Sequence, residues 1–179
     1  MIRYHHSDTE IKEILKTLVM IVDTREQNNS HILSYFDKHE IKYICEKLDV
    51  GDYSCMIPAN PKYGIHRNVY LKSVVERKAS VDEICGNLQK NTQQAFENEL
   101  IRSQSYRFVI FVEQEDFDEK LMNGEYRSQY NPKALKARLE SFKAKYNFEI
   151  NQMSKKMIGH NIYWRFHHQA RHLLKTGIV

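Results

Sequence analysis

An α/β domain built on a mixed β-sheet is the fold class this sequence predicts, and three observations predict it. Two uncharged apolar runs, residues 18–22 (LVMIV) and 108–112 (FVIFV), have strand length and stop at acids, Asp23 and Glu113. Two Ser-x-x-Glu patterns, Ser7 to Glu10 and Ser80 to Glu83, read as capping boxes that open helices. Strand-like and helix-like segments alternate along 179 residues, a length suited to one domain with its own core.

Each element follows from local pattern. After Ser7, Ile11, Ile14, Leu15 and Leu18 form one helical face; the strand 18–22 comes next. A helix from near Ser30 turns Ile32, Leu33 and Phe36 inward. Strands at 52–57 and 69–78 flank PANPKYGIHRN, whose Pro, Gly and Asn residues mark a hairpin connection. The second capping box starts a helix right after Lys78, and a helix over 93–103 places Phe96, Leu100 and Ser103 on one face. The run 108–112 reads as a strand buried on both faces. A helix carries Leu135, Leu139, Phe142 and Tyr146 at 4, 3, 4 spacing, and a short strand lies at 148–150. The last helix turns Ile162, Phe166, Ala170 and Leu173 or Leu174 inward. The whole chain, 1–179, is expected to be a single domain, with a core at about 18–113 and a basic helical part at about 131–179.

Composition narrows the function classes. A hydrophobic fraction of 41% and a charged fraction of 28% are those of a soluble globular protein, and no apolar run reaches membrane-spanning length. The start MIRYHHSDTE has no apolar signal region, and three cysteines without CxxC spacing argue against a disulfide framework or thiolate zinc site; a cytoplasmic location is expected. Residues 131–179 carry ten Lys/Arg against two acids, so a basic third follows an acidic body, an arrangement suited to a polyanion partner. Lys155, Lys156, Arg165 and Arg171 in that third, with Lys62 and Arg67 in the hairpin loop, are candidate DNA contacts. A solvated surface is the plainer reading of such charges.

The segment VYLKSVVERKAS, residues 69–80, ends a strand in three charges instead of turn residues. Side chains alternate along a strand, so Glu76 and Lys78 share a face while Arg77 points away. A hairpin partner would bring Asp52 beside them, and Asp23 and Glu113, each closing an apolar strand, are placed to join. Hard carboxylate oxygens such as Asp52 and Glu76 suit Mg²⁺, which lowers the pKa of a bound water and polarises a phosphate oxygen. Lys78 would orient that water or offset developing charge. A surface ion pair is the alternative for Glu76 and Lys78. No P-loop, GxGxxG or Ser/His/Asp order competes, and His168 and His172 lack a third zinc ligand. Tyr163, Trp164 and Phe166 are able to stack on unpaired bases, although core packing is the commoner fate and the favoured one for Phe166.

GDY at residues 51–53, followed by ERKASVD at 76–82, resembles the GD…ERKxxxD signature of the XPF family of structure-specific DNA endonucleases. IVDTRE at 21–26 resembles that family's first-strand V-D-x-R-E motif, while FENELIRS…RFVIFVE and NPKALKARLESF are similar to small stand-alone members from bacteria and phages. The resemblance implies a restriction-endonuclease-like core of the PD-(D/E)xK superfamily and metal-dependent DNA cleavage with Mg²⁺ or Mn²⁺. Asp52, Glu76 and Lys78 take the places of metal ligands and catalytic lysine, and Asp23 is a further catalytic and metal-binding acid. Glu26, Arg77 and Asp82 match the remaining signature charges; Arg25 and Glu113 are supporting candidates. Arg77 is better suited to anchoring an acid than to touching phosphate, and Asp82 also suits the first turn of a helix.

The implied substrate is branched or flapped DNA in repair, recombination or phage replication, in a bacterial or phage-infected cell. Relatives often dimerise through the nuclease domain, which makes a homodimer an option. The family's Gly-Arg pair is missing from NLQKNTQQAFENEL, and no tandem helix-hairpin-helix glycines are present. A non-catalytic DNA-binding scaffold is the second reading and a restriction enzyme a weaker third; the retained acids and lysine favour catalysis.

Overall fold

A computed structural model describes residues 6–177, which form two compact units. The first takes the chain up to Leu48, Asp52–Ser73, and the chain from Gly159 onward; the second takes Asp49–Gly51 and Val74–Ile158.

The first unit opens with helix α1 (Asp8–Leu15). The Ser7 side chain accepts from the Glu10 backbone N–H, and the Glu10 carboxylate accepts from the Ser7 N–H at 2.7 Å, so the expected capping box is complete. Strand β1 (Val19–Val22) pairs in parallel with β2 (Lys42–Cys45) and antiparallel with β3 (Tyr53–Ile57), which makes the sheet mixed, as expected. Strand β4 (Val69–Tyr70) pairs antiparallel with β3. Between them Asn60 and Ile65 bridge across a 3-10 turn, Pro61–Tyr63. Helices α2 (Ser30–Lys38) and α7 (Ile158–Thr176) supply Ile32, Phe36, Ile162, Phe166 and Ala170, all fully buried. Leu33 is half-buried, so the α2 core face is narrower than its sequence implies.

The second unit holds β5 (Ser73–Lys78, from Val74 on), β6 (Arg107–Val112) and β7 (Glu149–Gln152), adjacent in that order, with β6 and β7 parallel. Helices α3 (Val81–Asn87), α4 (Gln93–Ser103), α5 (Phe117–Asn123) and α6 (Pro132–Tyr146) complete it. Ile84, Leu88, Phe96, Leu100, Ile110, Leu121, Leu139 and Phe142 belong to one buried cluster. The α6 helix begins with Pro132 behind Asn131, whose side chain accepts from the Ala134 N–H at 3.1 Å, and ends at Asn147 in the left-handed region.

Two expectations need correction, and two elements were not foreseen. The stretch 69–78 is two strands, Val69–Tyr70 and Ser73–Lys78, broken at Leu71 and Lys72, although the Leu71 N–H still donates to the Cys55 carbonyl at 3.0 Å, in register with β3. Ser80 makes no side-chain cap; the Glu83 carboxylate instead accepts from the Ala79 N–H at 2.8 Å. Strand β2 and helix α5 were not anticipated.

Gly51 has φ +75°, and a Cβ there would meet the Val74 Cβ at 3.0 Å and the Val75 carbonyl oxygen at 3.3 Å. Gly51→Ala is expected to lose about 1–2 kcal/mol from the left-handed backbone and more from the crowding, read as a lower urea midpoint.

Candidate active site

In the first unit, the β1–β3 register pairs Val22 with Tyr53, and the next backbone bond runs from the Asp23 N–H to the Asp52 carbonyl at 2.8 Å. Asp23 and Asp52 therefore stand at adjoining strand ends. Asp23 is 2% exposed. Its Oδ1 accepts from the Arg25 backbone N–H and Nε, both at 2.7 Å. Its Oδ2 accepts from Arg25 Nη2 at 2.9 Å and the Leu48 N–H at 2.7 Å. Burial raises this carboxyl, but the bonds from Arg25 and Leu48 outweigh it and hold the group below its ordinary range. Four donors use the four lone-pair positions of a carboxylate, so another ligand at Asp23 would have to displace one of them. Arg25 also donates to the Leu48 carbonyl at 2.9 Å, clamping the loop that leads toward Gly51 and Asp52. Glu26 accepts from the Asn28 N–H at 3.1 Å. Asp52 is half-buried.

In the second unit, β5 buries three charges in succession, with Glu76 and Lys78 each 6% exposed and Arg77 also buried. The alternation of the strand separates them. Lys78 Nζ donates to Glu76 Oε1 at 2.6 Å and lies 3.5 Å from Glu83 Oε1 on α3. Burial pulls the ammonium down, but Glu76, with Glu83 and Glu99, outweighs it and leaves Lys78 well above the ordinary lysine range. Arg77 pairs instead with Glu113 at 3.1 Å, both side chains buried. Glu113 is held there because its backbone N–H donates to the Lys78 carbonyl at 2.9 Å, at the end of β6.

Glu99, on α4, is the residue that sequence reasoning missed. Burial, then the neighbouring Glu76 carboxylate, pushes its carboxyl up to about 7, and the two acids share a hydrogen bond. Its neighbour Leu100 marks the buried face of α4, but nothing in the sequence sets Glu99 apart from a helix acid facing water. Glu83 carried a signal, but only as a capping partner.

Asp82 accepts from the Arg127 N–H at 2.7 Å and its Nε at 3.2 Å. Lys62 and Arg67 are exposed in the β3–β4 connection, and Lys155 and Lys156 are exposed ahead of α7. Arg165 and Arg171 are half-buried on α7.

Among the described residues, no group of three or more His, Cys, Asp or Glu side chains is arranged to hold a metal ion. The donor set nevertheless fits a hard divalent cation. Glu76 and Glu99 offer only oxygen, and their mutual repulsion is of the kind that such a cation relieves. Magnesium commonly takes one or two carboxylates and completes its shell with water and substrate phosphate.

A mixed sheet flanked by helices makes this an α/β domain, and comparison with known families gives its class. The family model described as the ERCC4 domain matches residues 22–157, and the chain belongs to that family. Among solved structures, the chain is similar to "XPF from Aeropyrum pernix", with 20% identity, a TM-score of 0.59, and coverage of 87% of this chain and 66% of that one. It is also similar to "XPF from Aeropyrum pernix, complex with DNA", with 17% identity, a TM-score of 0.54, and coverage of 82% and 64%. The chain thus spans just under two thirds of those chains and shares their fold. A search of curated proteins by sequence finds no match. No helix among the described residues is long and apolar enough to cross a membrane.

Proposed function

We propose that this protein is a DNA endonuclease that hydrolyses phosphodiester bonds with Mg²⁺ or Mn²⁺, acting on branched or flapped DNA in repair, recombination or phage replication. The observation that carries this reading is the buried Glu76–Lys78 pair at the end of β5, 2.6 Å apart in a chain of the ERCC4 domain family. A buried ion pair is a poor device for stability alone, because desolvation cancels much of the attraction. Its presence there is better explained by chemistry. Glu76, with Glu99 beside it, would hold the metal; Asp52 and Asp23 are assigned as metal-binding carboxylates on their motif positions. The bound cation supplies charge for a phosphate oxygen and a water of lowered pKa.

Lys78 has a separate task. Its ammonium is oriented by Glu76 and Glu83, and it neutralises charge that develops on the phosphate as the water oxygen adds. Arg77 and Glu113 fix the end of β5 against β6, and Asp82 ties Arg127 to the start of α3. Arg25 holds Asp23 and the Leu48 segment in place, and Glu26 steadies the turn behind them. Lys62, Arg67, Lys155, Lys156, Arg165 and Arg171 are assigned to DNA phosphates, and a homodimer remains part of the proposal.

The test compares wild type with Asp52→Asn on labelled duplex, flap, fork and four-way DNA, with Mg²⁺, Mn²⁺ or EDTA. Metal-dependent cutting of the branched forms is expected, slower by about 10²-fold or more in the variant. Undiminished cutting by Asp52→Asn overturns the site. DNA binding without cleavage under any metal would make the protein a non-catalytic DNA-binding scaffold.

A further inference from the structure

We propose that a row of rings on the first unit is a stacking track for unpaired bases of single-stranded DNA. On α7, His160, Trp164 and His168 recur every four residues, which sets them on one face, while Ile162, Phe166 and Ala170 fill the core on the other. Trp164 is 40% exposed. Its ring stacks at 30° on His168, with centroids 5.6 Å apart, and lies 6.1 Å from the tilted His160 ring. Tyr35 on α2 extends the row, its hydroxyl 3.1 Å from His160 Nδ1, and His39 stands beyond it with centroids 4.3 Å apart. Gly159 makes this join between helices. A Cβ there would meet the Tyr35 ring and Cβ at 2.9–3.0 Å, so a larger residue would push Tyr35 out of line.

Charge indicates what lies on the row. The α7 helix has Arg165, Arg171 and Lys175 and no acid. Arg171 and Lys175 stand about two and three turns beyond Trp164 and pair with the largely exposed Asp8 carboxylate, at 3.6 and 3.5 Å. An aromatic platform beside cations matches a polyanion with flat, stackable faces, and single-stranded DNA has both properties. A peptide ligand would need apolar pockets or paired acids, whereas this row offers an indole that is 40% exposed beside cations. The choice of DNA as occupant rests on the nuclease reading, whereas the geometry of the row does not.

Trp164 is the chain's only tryptophan, so its emission reports on this face directly. Titrating the full chain with a thymidine oligonucleotide in EDTA is expected to quench that emission in a saturable way. By anisotropy of a labelled oligonucleotide, Trp164→Ala should bind about 10-fold more weakly or worse, and Trp164→Phe should keep most of the affinity. Asp8→Asn should bind more tightly than wild type, and raised salt should weaken both. Circular dichroism checks that the variants keep their helix content. Absence of quenching, or unchanged affinity in Trp164→Ala, overturns the proposal. So does an emission change that follows protein concentration without DNA, with a dimer that Trp164→Ala dissolves, since a second copy would then be the occupant. Quenching without cleavage removes the nuclease reading and leaves the track; cleavage without quenching does the reverse.

Discussion

Lys78→Ala is expected to abolish DNA cleavage and to cost about 3–5 kcal/mol of stability, the range for removing one partner of a buried ion pair. The ammonium lies between Glu76 at 2.6 Å and Glu83 at 3.5 Å, and both Lys78 and Glu76 are almost fully shielded from water. Alanine leaves the Glu76 carboxylate buried without its cation, beside a second acid, Glu99. Urea unfolding measures the loss. The double variant Glu76→Gln, Lys78→Met separates structure from chemistry. It removes both charges at similar volume and should recover most of the lost stability without recovering any cleavage. If Lys78→Ala unfolds at the wild-type urea concentration, the pair is not desolvated in the way that the proposed mechanism needs.

Glu99→Gln is expected to stabilise the protein in EDTA at pH 8 and to flatten its stability between about pH 4.5 and 7. Burial, then Glu76, lifts the Glu99 carboxyl from 4.5 to about 7. The folded state therefore holds this proton more tightly than the unfolded chain. Its contribution is full below about pH 4.5, declines as pH rises, and is gone above about pH 7. At about 1.4 kcal/mol per pKa unit, roughly 3.5 kcal/mol is an upper bound for the change. Urea midpoints for both proteins across pH 4 to 8 read it out. A wild-type slope that persists unchanged in Glu99→Gln would mean that another group titrates in this window.

The sequence made some elements plain because pattern and environment agree. Helix α4 spans Gln93–Ser103, as its Phe96, Leu100 and Ser103 spacing predicts, and β1 and β6 are the short apolar runs that end at acids. Strand β2, KYIC, was hidden because it is mostly exposed and carries no alternation; its pairing with β1 determines its state. Helix α5 has only seven residues and two buried apolar ones, too few to establish a period. At the candidate site, the alternation along β5 was legible, so Glu76 and Lys78 were separable from Arg77. The environment of Glu99 was not, because a helix acid facing water and one facing another carboxylate look alike in sequence. The Asp23 clamp was hidden for a different reason: Leu48, one of its donors, lies 25 residues away.

The segmented make-up of the first unit bears on its biosynthesis. Its core includes Ile162, Phe166 and Ala170, which belong to α7, whereas its sheet comes from residues before Ser73. Strands β1, β2 and β3 emerge early from the ribosome, yet they cannot complete their core until Gly159 and the helix after it have been translated. Until then the nascent chain presents apolar β-rich segments without their cover, the kind of intermediate that is prone to aggregate. The closing contacts also span well over a hundred residues, so folding should be slow for a chain of this size.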